Sequence, residues 1–215
     1  VHSNDAPMHA YPGGSPLNVA VGAARLGHKT RFIGHYGTDE HGASIAAHLS
    51  ASKVQVPFEP RAARTSTAQA YIGEDGAARY EFDIDWSLDS YADDILALAP
   101  SCEALHTGSI GAMLEPGAHV VAQALTAARE SALISYDPNC RPTIISDRAL
   151  AQSWAEKFAA LASVVKASDE DLMWLYPDRS LAETAHAWLD LGVELMVITR
   201  GEGGPLAYTR AYPNG

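Results

Sequence analysis

Short apolar segments alternate with helical segments through most of this sequence, and no other feature constrains the fold as strongly. A strand, a helix and another strand in succession are typical of a parallel sheet covered by helices. We therefore predict an α/β fold with a mostly parallel sheet. The predicted strands are 30–34, 104–106, 133–136, 164–165, 195–199 and 205–208, and the predicted helices are 18–26, 40–50, 116–130, 148–162, 169–176 and 181–191.

The segment from Thr65 to Asp85 interrupts this alternation. Its first part alternates polar and small residues, a Gly-Glu-Asp-Gly turn follows at 73–76, and a second run returns from Arg79 to Phe82. Two such runs around a glycine-containing turn predict an antiparallel β-hairpin. We expect this hairpin to be a lid or an interface, inserted at about 55–86 into a single domain that spans residues 1–215.

A glycine turn precedes the first predicted helix. Gly13 and Gly14 come directly before Ser15 and Pro16. Serine is a favoured helix cap and proline suits the first helical position, so we expect Ser15 to cap this helix. Gly27 is expected to end it.

The acidic composition disfavours several classes of function. The net charge of −11 leaves little affinity for nucleic-acid phosphates or anionic membrane surfaces, so neither is expected as a partner. The apolar runs are too short for a membrane-spanning helix, and we expect no signal peptide. The only cysteines, Cys102 and Cys140, lie too far apart in sequence for a CxxC pair. Together these features favour a cytoplasmic protein.

Polar and glycine residues come directly after three consecutive predicted strands. Ligands bind at the carboxyl ends of parallel strands, so we expect the three segments to form one site. Arg141 is the most informative residue, because an arginine just after a buried strand indicates phosphate or carboxylate binding. Taken singly, each segment could also be a turn or a helix cap. The segments are 137–142 (Asp-Pro-Asn-Cys-Arg-Pro), 166–171 (Lys-Ala-Ser-Asp-Glu-Asp) and 199–204 (Thr-Arg-Gly-Glu-Gly-Gly).

Together with three segments nearer the N-terminus, and in their order along the chain, these segments resemble the ribokinase-like (PfkB) carbohydrate kinase family, and within it the bacterial fructokinases. The resemblance covers residues 12–208. It implies a ribokinase-like α/β sandwich, with a mostly parallel central sheet flanked by helices and a small β-hairpin lid. It also implies transfer of the γ-phosphate of ATP to a sugar hydroxyl, with Mg²⁺. The earlier segments are 13–18 (Gly-Gly-Ser-Pro-Leu-Asn), 23–27 (Ala-Ala-Arg-Leu-Gly) and 37–42 (Gly-Thr-Asp-Glu-His-Gly).

The resemblance also implies roles for individual residues. Asn139 and Arg141 match catalytic residues beside the transferred phosphate. The residues that match the sugar-binding turn and the lid over the sugar are Gly13, Gly14, Asn18, Tyr71, Tyr80 and Phe82. Those that match the nucleotide-binding positions are Lys166, Ser168, Asp171, Thr199, Gly201 and Gly204.

One motif departs from the family pattern. The family has Asn-x-x-Glu where this chain has Ser168 and Asp171, and that motif acts on Mg²⁺ and phosphate through water. We therefore expect no direct protein ligand to the metal ion.

Two parts of the family pattern find no match in the sequence. One is an N-terminal strand whose aspartate binds the sugar. The other is a G-A-G-D segment that supplies the general base. We expect these 215 residues alone not to turn over substrate. The alternative function is therefore a catalytically inactive or truncated module that binds sugar or nucleotide on the same fold.

The predicted lid bears on the substrate and on assembly. Asp83 and Asp85 follow Phe82, and an acidic lid favours a neutral sugar such as fructose over an acidic one. Exposed Tyr71 and Phe82 would also favour a homodimer that pairs through the hairpin.

Two other types of protein fit the sequence less well. The segment 83–94 resembles the start of a calcium loop, but Leu88 stands where that loop requires glycine. A Rossmann dehydrogenase is disfavoured because no G-x-G-x-x-G motif follows a first strand.

Overall fold

Residues 10–62, 64–72 and 78–212 are described by a computed structural model of the chain. Their contacts divide the chain into two units, residues 1–86 and 87–215. The expected single domain with an insertion at about 55–86 stays a prediction. Within the described residues, no helix is long and apolar enough to cross a membrane.

The described residues of the first unit form two helices and a two-stranded antiparallel sheet. The helices are α1 (Ser15–Arg25) and α2 (Glu40–Ala51), and the strands are β1 (Thr67–Ile72) and β2 (Ala78–Asp83). Thr67 pairs with Asp83 at one end of the sheet and Ile72 with Ala78 at the other. This pairing confirms the predicted hairpin, although its turn at 73–77 lies outside the described residues.

Two local predictions for this unit are wrong. Residues 30–34 form only an isolated bridge, between Arg31 and Gln55. The Phe32 nitrogen donates to the Gln55 carbonyl, and the Gln55 nitrogen donates to the Thr30 carbonyl. A strand needs a partner along its length, which the local sequence does not reveal. Ser15 does not cap α1, because the helix already begins at Ser15. Its cap is Gly14, whose φ of 113° suits glycine and which makes no side-chain bond.

In the described part of the second unit, five strands form one sheet in the order β3-β4-β5-β6-β7. The first four strands are parallel, and β7 runs antiparallel to β6. The predicted mostly parallel sheet is thereby confirmed. The strands are β3 (Ala104–Gly108), β4 (Leu133–Asp137), β5 (Val164–Ser168), β6 (Leu195–Thr199) and β7 (Leu206–Thr209).

Helices flank this sheet. They are α3 (Ala92–Leu98), α4 (Gly117–Ala128), α5 (Arg148–Ala159), α6 (Asp169–Leu175) and α7 (Leu181–Leu191). Helix α3 was not predicted from the sequence, although Asp93 and Asp94 lie in its first turn. Acidic side chains in a first helical turn are in fact stabilising, since they face the positive end of the helix dipole.

One face of the sheet forms the core of the second unit. Successive strand side chains point to opposite faces, so Tyr136, Val165 and Ile198 all lie on the same side, where they are buried. Phe158 and Trp188 from the helices are buried in the same cluster. The alternate positions of β4, β5 and β6 are mostly half-buried, and several of them carry polar side chains.

Candidate functional site

Two residues in left-handed backbone tie the loop after β3 to the loop after β4. Ser109 has a φ of 55° and Asn139 a φ of 37°. The side-chain amide of Asn139 donates to Ser109 Oγ at 3.1 Å, and Ser109 Oγ donates to the Asn139 carbonyl at 3.3 Å. Left-handed backbone is unfavourable for residues with a side chain, although asparagine tolerates it best. Ser109 was not among the residues predicted from the sequence.

The loop after β4 is also held from the side of β5. Asp171 Oδ1 accepts a hydrogen bond from the backbone nitrogen of Cys140 at 2.7 Å. Asp171 Oδ2 accepts from the Ser168 nitrogen at 3.1 Å and from Ser168 Oγ at 2.7 Å. Ser168 Oγ in turn accepts from the Asp171 nitrogen, which completes a capping box at the start of α6. Asp171 thus serves both its own helix and the neighbouring loop.

The Cys140 side chain is buried beside this carboxylate. Burial first, and then the negative charge of Asp171, raise the pKa of the Cys140 thiol to about 12. The thiol is therefore protonated at neutral pH.

Arg141 lies at the exposed edge of the same loop. Its Nη1 donates to the Cys140 carbonyl at 2.8 Å and to the Asn139 carbonyl at 3.4 Å. A guanidinium has five N–H donors, so these bonds occupy only part of its capacity. Arg141 can therefore contact an anion without leaving the loop.

Lys166 and Asp137 form an ion pair on the polar face of the sheet. Lys166 Nζ lies 3.1 Å from Asp137 Oδ2, and the Asp137 side chain is 15% exposed. Among the described atoms, Asp137 Oδ1 is buried and has no hydrogen-bond partner. This pair holds the Lys166 ammonium at the carboxyl end of β5.

His106 lies on the same face, where its Nδ1 and Ser135 Oγ are 2.9 Å apart. Burial lowers the pKa of His106, and the charge of Asp137 only partly opposes this shift, so the imidazole is neutral near pH 7. No role for this histidine was predicted from the sequence, although it lies within a predicted strand.

The glycine segment after β6 forms a tight turn that leads into β7. Gly201 and Gly204 have φ values of 51° and 71°, which glycine adopts at little cost. Arg200 closes the turn by donating from Nε to the Gly204 carbonyl at 3.1 Å and from Nη2 to the Gly203 carbonyl at 2.8 Å. The predicted turn at this segment is present, and Arg200 is a further residue for which no role was predicted from the sequence.

The three predicted strand-end segments lie on neighbouring strands. Thr199 at the end of β6 pairs with Ser168 at the end of β5, and β5 pairs with β4. Gly108 at the end of β3 lies so close to β4 that a Cβ atom there would collide with the Asp137 carbonyl. The carboxyl ends of β3 to β6 therefore form one continuous edge.

The expected sugar-binding residues belong to the first unit. Gly13 and Gly14 precede α1, and exposed Asn18 donates its backbone N–H to the Gly14 carbonyl at 3.0 Å. Phe82 is half-buried in β2. The side chains of Tyr71 and Tyr80 lie outside the described part of the structure.

A metal site built from side chains is not found in the described residues. No group of three or more His, Cys, Asp or Glu side chains among them could hold a metal ion. Asp171, which the family pattern associates with Mg²⁺, already uses both carboxylate oxygens. Its arrangement does not fit the role that the family motif implies.

Comparison with known proteins decides the family. The sequence pattern described as pfkB family carbohydrate kinase matches residues 2–213. The chain belongs to this family. It is 34% identical over 209 residues to the probable fructokinase-4 of Arabidopsis thaliana, which covers 94% of this chain and 64% of that protein. The chain thus spans just under two thirds of the length of this relative.

Solved structures of the family agree with this assignment. The apo fructokinase of Vibrio cholerae O395 matches with a TM-score of 0.82 at 30% identity, over 100% of this chain and 74% of the other. The same enzyme in its fructose, ADP and calcium ion bound form matches with a TM-score of 0.77 at 32% identity, over 95% and 67%. The ribokinase-like fold expected from the sequence is confirmed.

Proposed function

We propose that this protein is an ATP-dependent sugar kinase that transfers the γ-phosphoryl group to a hydroxyl of a neutral sugar, fructose. The observation that carries the proposal is the loop after β4. It is tied to the segment after β3 and to the start of α6, and it carries Arg141 at an exposed edge of the sheet. Membership of a carbohydrate kinase family supplies the reaction class.

Arg141 is the proposed catalytic group. Charge develops on the oxygens of a phosphoryl group in transfer, and a guanidinium stabilises it through charge-assisted hydrogen bonds. Arg141 contacts the phosphoryl group through the guanidinium N–H groups that its bonds to the Cys140 and Asn139 carbonyls do not use. The side-chain amide of Asn139 holds the loop in place through Ser109.

Lys166 and the glycine turn are proposed to receive the nucleotide. The Lys166 ammonium, held by Asp137, supplies positive charge at the end of β5. Gly201 and Gly204 allow the backbone to approach phosphate groups closely. Mg²⁺ retains much of its water and binds mainly to substrate phosphates in many kinases, so it would arrive with ATP and need no cluster of protein carboxylates.

The proposal of fructose rests on the relatives. The Arabidopsis protein is named a probable fructokinase, and the Vibrio cholerae enzyme was solved with fructose and ADP. The acidic residues near the hairpin are a weaker argument than the sequence suggests. Asp83 forms an ion pair with Arg64, so its charge is partly compensated. Asp85 Oδ2 lies 3.2 Å from His35 Nε2.

A homodimer that pairs through the hairpin and a cytoplasmic location also remain proposals. Sedimentation of the protein with and without a substitution at Phe82 tests the first, because loss of the dimer is expected only if the hairpin forms the interface.

Sugar-dependent ADP release is the deciding measurement, run on the natural protein at its full length over a panel of neutral and acidic sugars. Arg141→Ala is expected to lower kcat by roughly 10³-fold, as for other arginines that stabilise a phosphoryl group in transfer. Arg148→Ala, at the start of α5, is the matched control and is expected to retain activity.

The outcomes separate the candidate functions. Nucleotide binding in calorimetry without any product would favour the binding module over the kinase. Neither binding nor ADP release would contradict both.

A further inference from the structure

The Asp171 carboxylate is buried at the junction of two loops. Its residue is 8% exposed, and its three hydrogen bonds come from the Cys140 nitrogen, the Ser168 nitrogen and Ser168 Oγ, at 2.7, 3.1 and 2.7 Å. A carboxylate offers about four lone-pair positions for hydrogen bonds. Three of them are taken by these donors, which leaves at most one for a hydrated metal ion.

The bond to Cys140 acts on the residues that flank it. Cys140 lies between Asn139 and Arg141, and its backbone nitrogen is fixed by a residue 31 positions later in the sequence. On the opposite side, Asn139 is fixed by Ser109, 30 positions earlier. The loop that carries Arg141 is therefore held on both sides, and a buried carboxylate provides one of the two attachments.

We propose that Asp171 is a positioning residue, whose carboxylate clamps the loop of Asn139 and Arg141 to the start of α6 and does not serve Mg²⁺. The effect on catalysis rests on the proposed kinase function, whereas the clamp itself does not.

The chain contains a matched control for this proposal. Helix α7 begins with Ser180 and Glu183, which form the same capping box. In the described part of the structure, the hydrogen bonds of Glu183 involve Ser180 alone. Neutralising Glu183 therefore disturbs a cap, whereas neutralising Asp171 disturbs a cap and a clamp.

The clamp is tested directly by hydrogen exchange at the Cys140 amide. In the unaltered protein this amide is expected to exchange slowly, because a buried acceptor holds it. Asp171→Ala, which removes both carboxylate oxygens, is expected to accelerate its exchange at least about tenfold, and Glu183→Ala to leave it unchanged. Unprotected exchange in the unaltered protein, which requires no variant to fold, would overturn the proposal. So would equal exchange in the Asp171→Ala protein.

The absence of a metal role is tested by titrating Mg²⁺ in the ADP-release assay. Asp171→Asn is expected to lower kcat by roughly 10²-fold, since small misplacements of a catalytic group have effects of that size. The KM for ATP and the Mg²⁺ concentration for half-maximal rate are expected to stay the same. A requirement for much more Mg²⁺, with kcat recovered at saturation, would overturn the proposal.

The two proposals fail in different ways. If the unaltered protein neither binds nucleotide nor releases ADP, the kinase function fails, and exchange at Cys140 still decides the clamp. If the protein is an active kinase in which Asp171→Asn alters only the Mg²⁺ requirement, the kinase function stands and the clamp fails.

Discussion

Helices α6 and α7 begin with the same arrangement of side chains, yet only α6 connects its cap to another part of the chain. At α7, Ser180 and Glu183 are exposed and satisfy each other's backbone groups. At α6, Ser168 and Asp171 do the same, and Asp171 also accepts from Cys140. A capping box is thus a local device that becomes a tertiary contact when its acidic residue is buried against a neighbouring loop.

The first unit contains another helix start whose acidic side chain also bonds to a distant segment. Asp39 caps α2 by accepting from the Gly42 nitrogen at 2.8 Å. It also accepts from Thr65 Oγ1 at 2.6 Å and from the Thr65 nitrogen at 2.7 Å. Thr65 is 26 residues further along the chain, so this cap also joins two distant segments. The three helix starts differ in the groups that the acidic side chain reaches, and this difference can be measured.

The largest expected effect on stability separates α6 from α7. Asp171→Asn is expected to lower the free energy of unfolding by about 2 kcal/mol, because an amide offers one neutral acceptor oxygen to the three donors that the carboxylate binds. Glu183→Gln is expected to have a clearly smaller effect, because water can replace an exposed partner. Urea unfolding followed by circular dichroism measures both. Equal losses of stability in the two variants would show that the bond from the Cys140 nitrogen to Asp171 contributes nothing.

The next effect concerns the loop that the α6 cap holds. Asn139 has left-handed backbone, so Asn139→Gly is expected to be more stable than Asn139→Ala by about 1 kcal/mol. Both variants lose the bond to Ser109, so the difference isolates the backbone. Asp178, in the loop before α7, is the control. Its φ is not positive, and there alanine is expected to be the more stable substitution. The same order at both positions would contradict a strained loop at Asn139.

The smallest effect is one of pH, and it concerns the cap of α2. Hydrogen bonds from the Thr65 side chain and backbone and from the Gly42 nitrogen lower the pKa of Asp39 from 3.8 to about 2. A carboxyl group with a lowered pKa in the folded state stabilises the protein above its unfolded pKa, and this stability is lost as pH falls toward the folded pKa.

Unfolding midpoints measured from pH 4 down to pH 2, the interval between these pKa values, test this expectation. The Asp39→Asn protein is expected to lose less stability across that interval than the unaltered protein. Identical pH dependence in the two proteins would show that Asp39 is not the group responsible.

Features with a local period could be predicted from the sequence. Helix α7 occupies its predicted bounds of Leu181–Leu191, because its apolar residues repeat at helical spacing and Ser180 and Gly192 mark its ends. The strand expected at 30–34 could not be predicted correctly in this way, because a strand depends on a partner that is distant in sequence.

In the candidate site too, features with a local sequence signal could be predicted, and contacts between distant residues could not. The segments after β4, β5 and β6 could be predicted because polar and glycine residues stand directly after each of these strands. Ser109, directly after β3, carries the same signal and could have been predicted in the same way. The clamp between Asp171 and Cys140 gave no signal in the sequence, because the two residues are 31 positions apart and Asp171 is also a normal member of a capping box.

The close approach of β3 and β4 at Gly108 determines where sequence variation can be tolerated. Any side chain at this position would meet the Asp137 carbonyl and push the two strands apart. In a library of random variants selected for folding alone, position 108 would therefore remain glycine while exposed Arg141 would change freely. Selection for phosphoryl transfer would restrict Arg141 as well. Comparing the two selections would thus distinguish residues kept for architecture from residues kept for chemistry.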